Sequence, residues 1–290
     1  MKPVYSYLGQ LVIAALAFAA WGCTEDIDLK LNTTYKRLVV DGVITSDTVV
    51  QSVKLTFSGD YYDNKPSQGV SGAMVTIRGN GESVLFGESN ETPGLYLTPD
   101  KFYGIPGVTY SLTIENVDVD GDGQPETYEA SSTMPQIVPI DSVGIGYHKI
   151  WKLWQVLLYA RDPGDMENYY MFRVFRNDSL ISDSFSEVSL GDDSFFDGNY
   201  ANGTWVYALD AEESAEDLAV GDEVKLEMYN IDKTFYEFLT ALQEETSPKN
   251  PLFSGAPANV PGNISNGALG IFAVCGISRE KTTLTEDLKK

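Results

Sequence analysis

Apolar and polar residues exchange places in short alternating runs along most of the chain. RLVVDGVIT from Arg37, SVKLTFSG from Ser52, then AMVTIRG, SVLFGE, GLYLT and TYSLTIE are each brief and rich in β-branched or aromatic residues, with Gly, Asp, Asn or Pro between them. Period-two alternation with that punctuation predicts strands. No long helical period breaks the series before Pro135, so residues 35–136 are expected to form a β-sandwich of about seven strands. STMPQIVPIDSV then brings Pro135 and Pro139, which interrupt strand pairing and helix alike, and a domain boundary is placed there.

Beyond it the alternation resumes. Trp151, Leu153 and Gln155 interleave with Lys152, Trp154 and Val156, so this strand has apolar groups on both faces and belongs at the centre of a sheet. YYMFRVFRN, TWVYALD and EVKLEMYN extend that sheet, and residues 137–277 are read as a second β-rich sandwich followed by a polar tail, 278–290. One helix interrupts it at 232–244, where Phe235, Phe238, Leu239 and Leu242 recur at helical spacing behind Asp232 as N-cap. The expected fold is therefore mainly β, with two sandwiches and one short helix in the C-terminal one. Within the first, VSGAMVTIRG, PGLYL and GVTYSLTIE resemble immunoglobulin-like and prealbumin-like modules of bacterial surfaces.

Charge narrows the classes of partner. Against 42 Asp and Glu stand 20 Lys and Arg, a formal net charge of −22, and a surface that acidic repels phosphate backbones. Nucleic acid is excluded as a partner on this ground. The 43% of hydrophobic residues are enough to build real cores.

The N-terminus reads as an address. Lys2 is the sole charged residue before Glu25, and the apolar run Leu11–Ala20 is shorter than the roughly 20 residues a spanning helix needs. AAWGC ends that run at Cys23, and a cysteine after a small residue at this place resembles a bacterial lipobox, although Trp21 stands where a small residue is usual. Residues 1–22 are expected to be a lipoprotein signal peptide, Cys23 to carry covalent lipid, and residues 23–34 to be an acidic tether. Anchoring of this kind puts the protein at the outer membrane, and the Thr24–Asp28 acidic start resembles a surface-export signal, so the cell-surface face is expected.

Motif chemistry is sparse. DVDGDGQPETYE sets Asp118, Asp120 and Asp122 at positions 1, 3 and 5 of a calcium loop, Gly123 at the turn, the Gln124 carbonyl at 7, Glu126 at 9 and Glu129 at 12. Calcium is the candidate ligand; the competing reading is an Asp- and Gly-rich hairpin turn, and the strand-like flanks make this an isolated loop without paired helices. His148 is the sole histidine and cannot build a multi-histidine metal site. Cys275 lies in the apolar run ALGIFAVCGI and is read as a buried, inert thiol. Ser265 in GNISNG misses the spacing of a nucleophile elbow. Trp151, Trp154, Tyr169, Tyr170, Phe195 and Phe196 are candidates for a stacking platform, with core packing as the competing role.

LVVDGVIT, VSGAMVTI with PGLYL, IDSV, ARDPGDMENYYMFRV, DDSFFDGNYANG, the FYEFL helix and PANVPGNISNGALGIFAV occur in an order that resembles the Bacteroidota lipoprotein family called domain of unknown function four-two-four-nine. The resemblance spans nearly all of the mature chain. It implies an outer-membrane lipoprotein that works beside a TonB-dependent receptor in nutrient capture, and it supplies no catalytic residues. A noncatalytic receptor accessory is thus the expected function, with an adhesin as the alternative and a hydrolase third. The helix and the Ser247–Gly267 loop are the expected docking relief, and the identity of the small ligand is not legible.

Overall fold

The computed structural model describes residues 36–59, 66–164, 166–182, 187–194, 197–247 and 259–289. The signal, Cys23, the tether, Phe195, Phe196 and residues 248–258 of the proposed docking loop lie outside the described residues. Residues 36–290 form one compact unit.

The strands of the first half are β1 (Leu38–Thr45), β2 (Ser52–Phe57), β3 (Met74–Gly79), β4 (Glu82–Glu88), β5 (Leu95–Leu97), β6 (Thr109–Val117) and β7 (Glu126–Thr133). After the proline segment come β8 (Ile140–His148), β9 (Leu153–Arg161), β10 (Tyr169–Arg176), β11 (Ser179–Leu180), β12 (Ser189–Asp192), β13 (Tyr200–Asp210) and β14 (Glu223–Ile231). Helix α1 (Lys233–Thr246) and the long strand β15 (Leu269–Thr283) close the order. The mainly β architecture with one helix is the one expected, and Asp232 caps that helix by accepting the Phe235 amide at 2.8 Å.

The pairing departs from two separate sandwiches. One mixed sheet runs β11-β10-β14-β15-β1-β2-β5-β4-β3-β6-β7, with β12 also paired to β10, and a small sheet holds β13-β9-β8. Strand β15 joins the two halves, parallel to β1 from Val39 opposite Leu269 and antiparallel to β14. Its residues Ile271 to Ile277 are all buried. Phe272 and Val274 point into the core of the first half beside Leu38, Val40 and Ile44, whereas Ile271, Ala273, Cys275 and Ile277 lie under α1 with Phe235 and Leu239. A strand covered on both faces reads as a continuous apolar run rather than an alternation, and ALGIFAVCGI is that run.

One expected boundary shifts with it. The segment read as a polar tail from residue 278 begins inside β15, and Leu284 and Leu288 pack on the core of the second half. The proline segment is a strap: Val138 donates its amide to Asn230 Oδ1 at 3.0 Å, and Ile137 passes so close to Gly276 that a Cβ there would lie 2.5 Å from its Cγ1. Gly270 is constrained more tightly, with φ of +92° and only 1.9 Å between an added Cβ and the Val40 carbonyl oxygen. The second core lies between the small sheet and β10–β14, where Trp154, Val156 and Leu158 of β9 meet Phe172, Val174, Leu226 and Met228.

Candidate functional site

The calcium-loop residues fold as a hairpin connection between β6 and β7. Gly121 and Gly123 donate their amides to the two carboxylate oxygens of Asp118 at 2.7 and 3.0 Å, Asp120 accepts from Asp122 N at 3.1 Å, and Asp122 accepts from Gln124 N at 2.7 Å. Positive φ at Gly121 (+76°) and Gly123 (+83°) gives the turn its curl. Carboxylate oxygens of Asp118, Asp120 and Asp122 come within 4.8 Å of one another. Glu126 reaches back to the Val119 amide at 3.2 Å. Glu129 is not brought to this group: it stands in β7 opposite Thr113, three residues beyond Glu126 and on the other face of the strand, with its backbone tied to Ser265. Strand alternation, absent from a helical calcium loop, carries the twelfth position away.

A second acidic group escaped sequence reasoning. Asp162, after β9, and Asp193, after β12, are buried and share a 4.8 Å cluster with exposed Asp197. Asp162 accepts the Tyr170 hydroxyl at 2.6 Å and the Gly198 amide at 3.1 Å, while Asp193 accepts both Asn168 nitrogens at 2.9 and 3.1 Å. Burial pushes the Asp162 carboxyl above the ordinary carboxylate value, with Asp193 and Asp197 adding to the shift, and burial also pushes the Tyr170 hydroxyl up. The two segments that supply these residues, ARDPGDMENYY and DDSFFDGNY, are far apart in sequence, so no local spacing announces them. Asp162 and Tyr170 also border an apolar cavity of about 130 Å³ between the sheets of the second half.

The aromatic candidates separate cleanly. Trp154 is buried in the core and donates its indole N–H to Asp217 at 3.0 Å, and Tyr170 is buried too. Tyr169 packs on Tyr236 of α1, ring centroids 4.9 Å apart. Trp151 stays outside, 60% exposed at the tip of the β8–β9 hairpin, and is joined by His148 and by Trp205 of β13. Trp205 was missed because its strand, TWVYALD, alternates regularly and gives no sign of which face is covered. The outer face of the small sheet is apolar but only half-buried, with Leu153, Leu157 and Tyr159 along β9.

The remaining chemistry stays apart. Cys275 is fully buried in mid-strand and its thiol is pushed far up by burial, so the expected inert thiol is what the fold contains. His148 sits at the hairpin tip, where its Nδ1 accepts the Trp151 amide at 3.2 Å. Ser265 holds β7, accepting the Glu129 amide at 2.7 Å. The stripe of α1 is spent on its own core through Phe235 and Leu239, which leaves less relief for docking than its pattern implies.

The chain belongs to the family described as Domain of unknown function (DUF4249), which it matches over residues 24–281. No curated protein matches it. Among solved structures, the crystal structure of chicken CNTN1 FN1-FN3 domains is similar at 14% identity with a TM-score of 0.24. That similarity covers 67% of this chain and 58% of the other.

Proposed function

Proceeding from that membership, we propose that the protein is a noncatalytic, lipid-anchored outer-membrane accessory that holds a small ligand for a TonB-dependent receptor. Cys23 bears the anchor, and two or more acyl chains give the stable attachment that a single chain does not. The observation that carries a binding role is the outer face of the small sheet. It keeps Trp151, Trp205, Leu153, Leu157 and Tyr159 partly or largely in solvent, and contiguous exposed apolar surface of this kind marks a site of contact. The receptor comes from the family resemblance alone. The acidic surface argues against nucleic acid, and the separation of His148 from the sealed Cys275 argues against a thiol–imidazole nucleophile.

Capture of the C-terminally tagged chain from detergent-solubilised native membranes tests the reading. Stoichiometric recovery of a β-barrel receptor is the expected result. Recovery of the lipoprotein alone, under conditions that keep receptor complexes intact, rejects the accessory role in favour of an adhesin.

A further inference from the structure

The core of the second half is not filled. Its cavity of about 130 Å³ lies between the small sheet and strands β10, β12 and β14, walled chiefly by Val138, Leu158, Phe172, Val206 and Met228. Three small residues on that wall leave the space. Ala160 and Ala201 are cross-strand partners in the small sheet, and Gly191 of β12 stands opposite Tyr170, so all three turn to the side that the core residues Ala160, Tyr170 and Phe172 occupy. Nothing in the backbone asks for glycine at 191. Its φ lies outside the left-handed region, and among the described residues an added Cβ would meet Phe172 alone, at an ordinary contact of 3.5 Å. Protein interiors pack as densely as organic crystals, and an unfilled space of this size weakens the core around it. The space also has a way in. Strands β12 and β13 flank it without pairing to each other, β12 bonding to β10 and β13 to β9, and the Ser189 hydroxyl crosses the seam between them by donating to the Val206 carbonyl at 2.6 Å.

We infer that this cavity binds a small uncharged aromatic molecule, which enters through the β12–β13 seam. Volume and lining select the class. An apolar cavity of about 150 Å³ takes up benzene, and here the rings of Tyr170, Phe172 and Trp205 and the Met228 thioether supply the faces and the sulfur against which aromatic ligands pack. The polar groups on the wall are engaged within the fold: Asp162 accepts the Tyr170 hydroxyl and the Gly198 amide, and Asp192 accepts the Ser194 amide. The ligand is therefore held by contact rather than by ion pairing. Two carboxylates and, among the described residues, no cation in the lining repel an anion. An ammonium group would have to leave water for a wall that is mainly hydrocarbon. The site lies inside the second half rather than on the outer face of the small sheet, and it stands without the receptor.

The test places the full-length chain in phospholipid nanodiscs, which bring no free detergent to compete for an apolar cavity, and titrates toluene, p-cresol and indole against empty nanodiscs as the blank. Ligand-detected NMR reads binding and a thermal scan reads Tm. Saturable binding of at least one ring compound with a rise in Tm is expected, together with no binding of benzoate or benzylamine. Ala201→Leu fills the space and should lower the affinity about tenfold or more. Gly191→Ala guards against a variant that merely unfolds: its added methyl makes an ordinary contact, so the fold persists, checked by circular dichroism, and indole should weaken more than toluene. No saturable binding by any of the three, or affinities unchanged in both variants, overturns the inference. So does benzylamine or benzoate binding in place of the neutral rings. A native chain that binds none of them while Ala201→Leu melts higher reduces the space to a packing defect.

Discussion

Replacing Arg279 with alanine should cost far more stability than the loss of an ordinary surface charge. Its guanidinium lies in the part of β15 that the sequence presents as tail, donating to Glu227 Oε1 at 2.7 Å and to the two Asp47 oxygens at 2.8 and 2.5 Å. Asp47 holds it most strongly and Glu227 next, so the guanidinium is kept charged well beyond its ordinary range. Among the described residues, removal leaves the Glu227 carboxylate, whose side chain is 9% exposed, with the Tyr229 hydroxyl at 3.0 Å as its donor and with Arg173 opposite it on β10. Stranding a wholly buried charge costs about 3–5 kcal/mol. Arg279 and Asp47 are each about one-third exposed, and solvent screening of that half of the network lowers the expected loss to about 2–3 kcal/mol. For a unit of this size that is a fall in Tm of about 4–12 °C. Urea unfolding followed by tryptophan fluorescence at pH 7 measures it. Adding Glu227→Gln to Arg279→Ala removes the stranded charge and should recover about half of the loss. A loss below about 0.5 kcal/mol for the single variant, or no recovery in the double, refutes the argument that burial of Glu227 sets the magnitude.

Two further outcomes follow from the acidic groups. Calorimetry with calcium separates the two readings of the Asp118–Asp120–Asp122 turn: heat that Asp118→Ala with Asp120→Ala abolishes, and that Glu129→Ala on the far face of β7 leaves unchanged, makes it a calcium loop, whereas no heat makes it a hairpin turn held by its own amides. The pH dependence of Asp162 has the opposite sign to that of a salt-bridged aspartate. Its folded value is raised, so the unfolded chain releases this proton first, and the group's contribution to stability falls as pH rises from the ordinary carboxylate value of 3.8 to the raised one. Asp162→Asn should remove that decline from unfolding curves recorded between pH 3 and 7, and a decline of unchanged size in the variant would place its origin elsewhere.

Local rules made much of the fold legible. The alternation in RLVVDGVIT and TYSLTIE translates directly into β1 and β6, and the stripe behind Asp232 into α1. Long-range pairing was not readable, because nothing in ALGIFAVCGI says that its two faces serve different cores or that its partner lies at Val39. The polar content of SREKTT hid its strand character: its charges are matched across the sheet, as Arg279 opposite Glu227 and Lys281 bonded to Glu223 at 2.7 Å. At the candidate sites, the tight spacing of Asp118, Asp120 and Asp122 was enough to bring them together. Asp162 and Asp193 needed the tertiary fold, as did Trp205, since burial of a strand's face is decided by what packs on it.

The place of β15 has a consequence for how the chain is made. Its pairing with β1 joins residue 39 to residue 269, so the first core lacks Phe272 and Val274, and β1 lacks one of its two neighbours, until nearly the whole polypeptide has been synthesised. Contacts of such wide sequence separation slow folding. Until β15 arrives, β1 and β14 present open edges, and that interval is when aggregation or chaperone capture competes with folding.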